Sequence, residues 1–330
     1  NPGQSLAIEI PSYRNDVYEE IDVIEEIARI YGYQRIPTEI KYANSAQAGL
    51  NQPELVKDKI YRYLINWNFA ETINYSLISG EDCTLIYSAA ESEKNLPVLK
   101  LANPVSAETA YLRPSLIPGL LKSLSNNINY RQEDLLLFEA GKVFLPVVRE
   151  APDLNQSSEA LSEREHLAVL LTGRFVPLHW SNSGSGKAGL FHLTGLIRRL
   201  ILLLTGKEPD FVAGEHLCLS PGRAWQVLVN NFPAGIMGEL NKPNLQRLNC
   251  RNAVFLAELD LRVITDNSLA GANFYQAYPL TPAVTRDLSF IFNESVKYQQ
   301  IESLIKKITG PMLNRVTPFD IYRGGNIPAG

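Results

Sequence analysis

Cysteine is scarce. Cys83, Cys218 and Cys250 are the only three in 330 residues, and none sits in CxxC spacing. That argues against a disulfide framework and fits a reducing cytoplasm. Histidine is nearly as rare: His166, His179, His192 and His216 form no HxxxH or HExxH pair, which argues against zinc. Long apolar runs are missing too. The greasiest stretch, Leu196–Leu204, is broken by Arg198 and Arg199 and falls short of the ~18 residues a membrane span needs. No secretory signal opens the chain. It also lacks an initiator Met, and "NPGQSLAIEIPSYRND" reads as the middle of a strand and loop, so a piece of a larger polypeptide is expected. A net charge of −4 argues against a surface built as a whole for nucleic acid, though not against a local basic patch. "GSGKAG" fails as a phosphate loop, because Ala188 stands where Ser or Thr must follow Lys187. There is no GxSxG elbow, and no histidine has an evident nucleophile partner, so no hydrolytic triad is proposed.

What is abundant is negative charge in one place. Asp16 to Glu26 holds six carboxylates and no Lys or Arg. Ile21, Ile24, Ile27, Ala28 and Tyr31 recur at helical spacing, with Asp22, Glu25 and Glu26 on the other side and Gly32 placed as a C-cap. The i, i+3, i+4 spacing puts those three carboxylates on one face, and Asp16 lies close enough upstream to fold back. Oxygen ligands of this kind suit Mg²⁺ or Ca²⁺. A solvated polar face, with acids favoured in a helix's first turn and Arg29 four residues after Glu25, accounts for the same pattern.

At 330 residues, 45% hydrophobic and 20% charged, the chain has an ordinary globular composition and room for two or three domains. "LAIEI" alternates like a strand that Pro11 stops. Residues 39–52 read as a linker and Pro53 opens a second helix. "ETINYSLIS", "LPVLKLANP", "LLLFEAGKVF", "HLAVLLTG" and "AVFLAELDL" read as strands, with Gly141 as a possible bulge. "SLIPGLLKSLSNNINY" and "FHLTGLIRRLILLL" read as helices, and "AWQVLVNNFPAGIMGEL" as a hairpin. Residues 150–163 and 181–189 read as surface loops. Near residue 275 the pattern changes to a strand ("RDLSFIF"), a helix ("YQQIESLIKKIT") and a strand ("VTPFDIYRGG"). The fold class is α+β, an antiparallel sheet of about six strands flanked by helices.

Longer runs carry a resemblance. "IPSYRNDVYEEIDVIEEIARIYGYQRIP" resembles the end of the fifth domain of the bacterial phenylalanyl-tRNA synthetase β subunit. "LANPVSAETAYLRPSLIPGLLKSLSNNINYRQEDLLLFEAGKVF" and "LSPGRAW…AGIMGELNKP" resemble that subunit's core, with Ser220 and Asn241 where the family often has His. "YPLTPAVTRDLSFIF…VTPFDIYRGGNIPAG" resembles the start of its ferredoxin-like anticodon-binding domain.

The resemblance implies four segments: residues 1–38, a winged-helix-like end of the fifth domain; 39–52, a linker; 53–275, a core like a class II aminoacyl-tRNA synthetase; and 276–330, a truncated ferredoxin-like piece. It implies a cytoplasmic β subunit that supports ATP-dependent charging of tRNA(Phe) with phenylalanine. The subunit would pair with a catalytic α subunit in an α2β2 heterotetramer and help bind tRNA, without a membrane and without the editing domains. It also implies Mg²⁺ at Asp16, Asp22, Glu25 and Glu26, where the contact with the α subunit would lie. Left empty, such a cluster is expected to raise its carboxyl pKa values.

The core is expected to be non-catalytic. Class II chemistry needs arginines against ATP phosphates. Here Arg113 precedes the strand "LLLFEAGKVF", which offers Glu139 and Lys142, and Arg131 lies in its loop; "AVFLAELDL" has no glycine-rich turn and no Arg. Arg113 is read as structural or interfacial. A self-sufficient ligase and a scaffold without RNA contact are the competing readings. Residues 284–330 hold six Lys or Arg against four acids, too slight an excess to decide between them.

Overall fold

The computed structural model describes residues 6–37, 51–86, 98–147, 160–181, 186–268, 280–293 and 295–322. Most of the expected linker and much of the two expected loops lie outside the described residues. The chain divides by contacts into two units, Asn1–Ala270 and Gly271–Gly330.

The first unit is built on a seven-stranded sheet. Its strands are β1 (Ala70–Glu71), β4 (Leu135–Val147), β5 (Ala160–Thr172), β9 (Val254–Asp260), β8 (Phe232–Leu240), β7 (Leu219–Val229) and β6 (Asp210–Ala213), in that spatial order. Every neighbouring pair is antiparallel except the short edge pair β1–β4. Two further strands, β2 (Leu77–Ile78) and β3 (Tyr111–Leu112), pair with each other. The expected strand "ETINYSLIS" is therefore two fragments in two sheets, and "LPVLKLANP" contributes a single bridge, Lys100 to Tyr111.

Both faces of the large sheet are covered, which is why its central strands read as near-continuous apolar runs. On one face lie α2 (Gln52–Asn66), α5 (Leu190–Thr205) and α7 (Leu261–Asp266). They bury Ile60, Leu64, Ile197, Leu200 and Ile264 against Phe138, Val169, Leu171, Ala257 and Leu259. On the other face α4 (Ile117–Asn129) buries Leu120, Leu121 and Leu124 against Leu137, Leu170 and Leu256. Asn51 caps α2, accepting a hydrogen bond from the Glu54 amide, and Pro53 falls in the first turn as its missing N–H allows. Two short helices, α3 (Gly80–Cys83) and α6 (Lys242–Arg247), complete the core. The β7–β8 hairpin turns on Asn230 and Asn231, with φ of 51° and 66°, the left-handed pair a tight two-residue connection demands.

Three sequence expectations are corrected. Strand β5 begins at Ala160, not near His166, because the thirteen-residue ladder to β4 carries its pairing past the apolar run into polar residues. Gly141 is no bulge, since its register with His166 is unbroken. Residues 6–10 form no strand. Extended chain becomes a strand only where a neighbour completes its hydrogen bonds, and no described residue does so there.

α1 (Glu20–Tyr31) precedes this core and buries none of its residues. In the second unit α8 (Tyr298–Thr309) forms as expected, with Lys306 paired to Glu302. The two flanking segments expected as strands are not in a ladder among the described residues, again for want of a paired neighbour. No described helix is long and apolar enough to cross a membrane.

Candidate functional site

Two places concentrate polar chemistry. The first is the acidic helix. A turn closed by the Arg14 amide on the Pro11 carbonyl (2.9 Å) brings Arg14 back over α1. Its guanidinium donates to both oxygens of Asp16, Nε to Oδ1 at 2.8 Å and Nη2 to Oδ2 at 2.7 Å, and Nη2 also reaches Glu26 Oε1 at 2.7 Å. Arg29 holds the other oxygen of Glu26. Asp22 turns to the helix start, where Oδ2 accepts the amides of Tyr18 (2.8 Å) and Glu19 (2.9 Å). The Glu25 side chain has no hydrogen bond or ion pair among the described residues.

The pKa directions reverse the expectation for an empty cluster. Arg14 holds the Asp16 carboxyl below its usual range. Arg29 and then Arg14 do the same for Glu26. The Glu19 and Tyr18 amides lower Asp22. Hydrogen bonds to the charged form outweigh like-charge repulsion. All four residues offer oxygens a magnesium ion accepts, but no group of three or more metal-binding side chains converges among the described residues.

The second place is the α4 face of the sheet. Glu139 on β4, Ala168 on β5 and Glu258 on β9 are successive cross-strand neighbours. Both glutamates are buried, and the segment 113–117 lies over them. Arg113 is buried as well. It donates from Nη1 to Glu139 Oε1 at 2.5 Å and from Nε to the Lys142 carbonyl at 2.9 Å. Glu139 also accepts from Asn74 Nδ2 at 2.7 Å. Beside this pair Ser115 Oγ donates to Glu258 Oε2 at 2.5 Å and the Leu116 amide donates to Oε1 at 3.0 Å. His166 Nδ1 lies 2.9 Å from the same Oε1.

Gly141 explains itself here: a Cβ on it would lie 2.5 Å from Arg113 Nη2, so glycine leaves room for the guanidinium. Lys142 faces outward and pairs with Glu163 at 2.7 Å, which raises its pKa. Arg131 ends α4 with a left-handed φ of 62° and lines a cavity of about 370 Å³ with Arg251 and Asn249, away from Glu139 and Glu258. Sequence reading singled out Arg113 and Glu139 but missed Ser115, His166 and Glu258. The available signal was Glu258, a charge inside the apolar run "AVFLAELDL". Arg14 was also missed, two residues before Asp16.

Comparison with known proteins agrees with these motifs. Residues 36–261 match the phenylalanyl tRNA synthetase beta chain CLM domain, 1–33 the tRNA synthetase B5 domain and 279–330 the ferredoxin-fold anticodon binding domain. These are domains of tRNA synthetases, and the chain belongs to the phenylalanyl-tRNA synthetase β-chain family. It is similar to the phenylalanine–tRNA ligase beta subunits of Bacillus subtilis (32% identical, over 98% of this chain and 39% of the relative) and Clostridium tetani (30%, over 99% and 39%). It is also similar to that of Symbiobacterium thermophilum (32%, over 98% and 35%). The chain thus spans about two fifths of the length of these relatives. Among solved structures, a pyrrolysyl tRNA synthetase of Desulfitobacterium hafniense aligns with a TM-score of 0.45 and 15% identity over 63% of this chain and 64% of that one.

Proposed function

We propose that this chain works as part of the β subunit of a cytoplasmic phenylalanine–tRNA ligase. It pairs with a catalytic α subunit in an α2β2 assembly, helps hold tRNA(Phe) through the ferredoxin-fold domain, and catalyses nothing itself. In this reading residues 53–275 are a class II synthetase core without its chemistry, and residues 1–38 end a winged-helix-like domain.

The observation that carries the reading is the filled sheet face. A class II site needs cationic donors free to meet ATP phosphates and developing charge. Here the buried arginine on that face, Arg113, is bound to Glu139 and to backbone. Segment 113–117 and α4 pack over that face. Association is the test: the chain should co-purify with the α subunit of a phenylalanine–tRNA ligase. Failure of the two to associate at micromolar concentrations would contradict the reading.

Magnesium belongs to this proposal as well, held among Asp16, Asp22, Glu25 and Glu26 in the assembled enzyme. The family pattern and the density of carboxylates support it. Replacing Asp22→Asn and Glu26→Gln together is expected to weaken association with the α subunit in Mg²⁺ while leaving the fold intact. Unchanged association with unchanged Mg²⁺ dependence would mean that the face is merely solvated.

A further inference from the structure

We propose that the cavity between the ends of α4 and α6 is a binding site for a small phosphate-bearing ligand of nucleotide size, with Arg131 and Arg251 as its oxyanion donors. The cavity measures about 370 Å³, within the ~300–1,000 Å³ range of small-molecule sites. Arg131, Asn249, Arg251 and Asn252 bring donors to it, Ile128 an apolar wall, and Glu133 one carboxylate. Arg131 follows α4 and Asn249 follows α6, with φ of 62° and 51°. Left-handed backbone just past a helix end is where glycine fits without strain. An arginine there is strained, and its guanidinium has no hydrogen bond or ion pair among the described residues to offset that. Arg251 is likewise without one. By contrast, Arg113, Arg164, Arg223 and Arg247 in the same unit each pair with a carboxylate. Two cations without an internal partner thus meet at one cavity.

The walls are fixed before any ligand arrives. Gly173 leaves no room for a Cβ against the Glu133 carbonyl, and the Arg174 amide donates to Asp134 Oδ1 at 2.8 Å, which pins one wall to the end of β5. Thr172 Oγ1 donates to the Ala253 carbonyl at 2.9 Å and pins the other. The carbonyls of Asn127 and Ile128 accept the amides of Gln132 and Arg131, and those of Leu245 and Gln246 accept the amides of Cys250 and Asn249. The helix ends therefore present few unpaired carbonyls to an anion. A guanidinium forks onto phosphate oxygens as an ammonium cannot. Glu133 sets a second requirement. It repels an anion set against it, and its Oε2 accepts from Asn252 Nδ2 at 3.3 Å. A ligand that satisfies both ends offers an oxyanion to the arginines and an N–H donor to Glu133, as the phosphate and amino group of an adenine nucleotide do.

Calorimetry on the purified chain tests this, independently of whether the α subunit associates. Adenosine monophosphate (AMP) should bind with a Kd below about 1 mM, and about tenfold more tightly than inorganic phosphate, which makes no use of Glu133 or Ile128. Arg131→Gly and Arg251→Gln should each weaken AMP binding about tenfold or more. Arg131→Gly should leave the melting temperature unchanged or raise it, since glycine suits the left-handed turn. Arg251→Gln makes no demand on the backbone and serves if the first variant misfolds. Unaltered AMP binding in both arginine variants, or no AMP binding by the unaltered chain up to about 10 mM, would overturn the site. Equal binding of AMP and inorganic phosphate would leave only an anion site and overturn the nucleotide assignment. A short single-stranded RNA that binds where AMP does not, and is lost in the same variants, would show that the arginines meet polymer phosphates and would overturn the small-ligand reading.

Discussion

Arg113 and Glu139 lie 26 residues apart and are buried together as an ion pair in the core. A charge left behind when one partner of a buried pair is removed costs about 3–5 kcal/mol. Arg113→Met is therefore expected to lower stability by that amount, read as a shift of the urea midpoint at unchanged slope. Gly141→Ala should destabilise in the same direction but less, since only the guanidinium must move. The thiols give an independent check on burial. Cys218 is pushed up to about 12 and Cys83 to about 11, chiefly by burial, so neither should react with a thiol reagent at pH 8 before unfolding. Cys250, only partly buried, should react first. At this scale the sequence named Arg113 and Glu139 but could not pair them. Their meeting depends on how segment 113–117 crosses β4, which no local pattern encodes.

Among the elements, those with a regular apolar period were legible, and stretches held by backbone pairing alone were misjudged. "HLAVLLTG" and "AVFLAELDL" read as strands because both faces of the sheet are covered. The start of β5, Ala160–Glu165, is mostly polar and its first four residues were read as loop, since backbone pairing to β4 leaves no hydrophobic signature. α1 was found from its isoleucine spacing, and its acidic face was judged correctly as crowded. The sequence could not reveal that the crowding is relieved by Arg14, Arg29 and two backbone amides.

That relief has a pH consequence. Asp16, Asp22 and Glu26 are all held below their ordinary values of 3.8, 3.8 and 4.5. Groups with depressed folded pKa values stabilise above the unfolded value and cease to do so as pH falls through the folded one. The helicity of α1 should accordingly be constant above about pH 5 and decline as the solution is acidified below about pH 4. A helix signal that rises on acidification over that range would mean that like-charge repulsion, not pairing, dominates the face.

At the scale of the molecule, one sheet has two covered faces, and on its α4 side the buried Arg113 is bound to Glu139. The resemblance in sequence announced a synthetase core, and the absence of phosphate-binding arginines announced an idle one. In the proposed reading the core is idle because Arg113, Ser115 and His166 are tied to Glu139 and Glu258 beneath segment 113–117. The most direct measurement is phenylalanine-dependent exchange of pyrophosphate into ATP by the purified chain alone. The account predicts no exchange above the background without phenylalanine. Exchange that requires phenylalanine and saturates with ATP would contradict it.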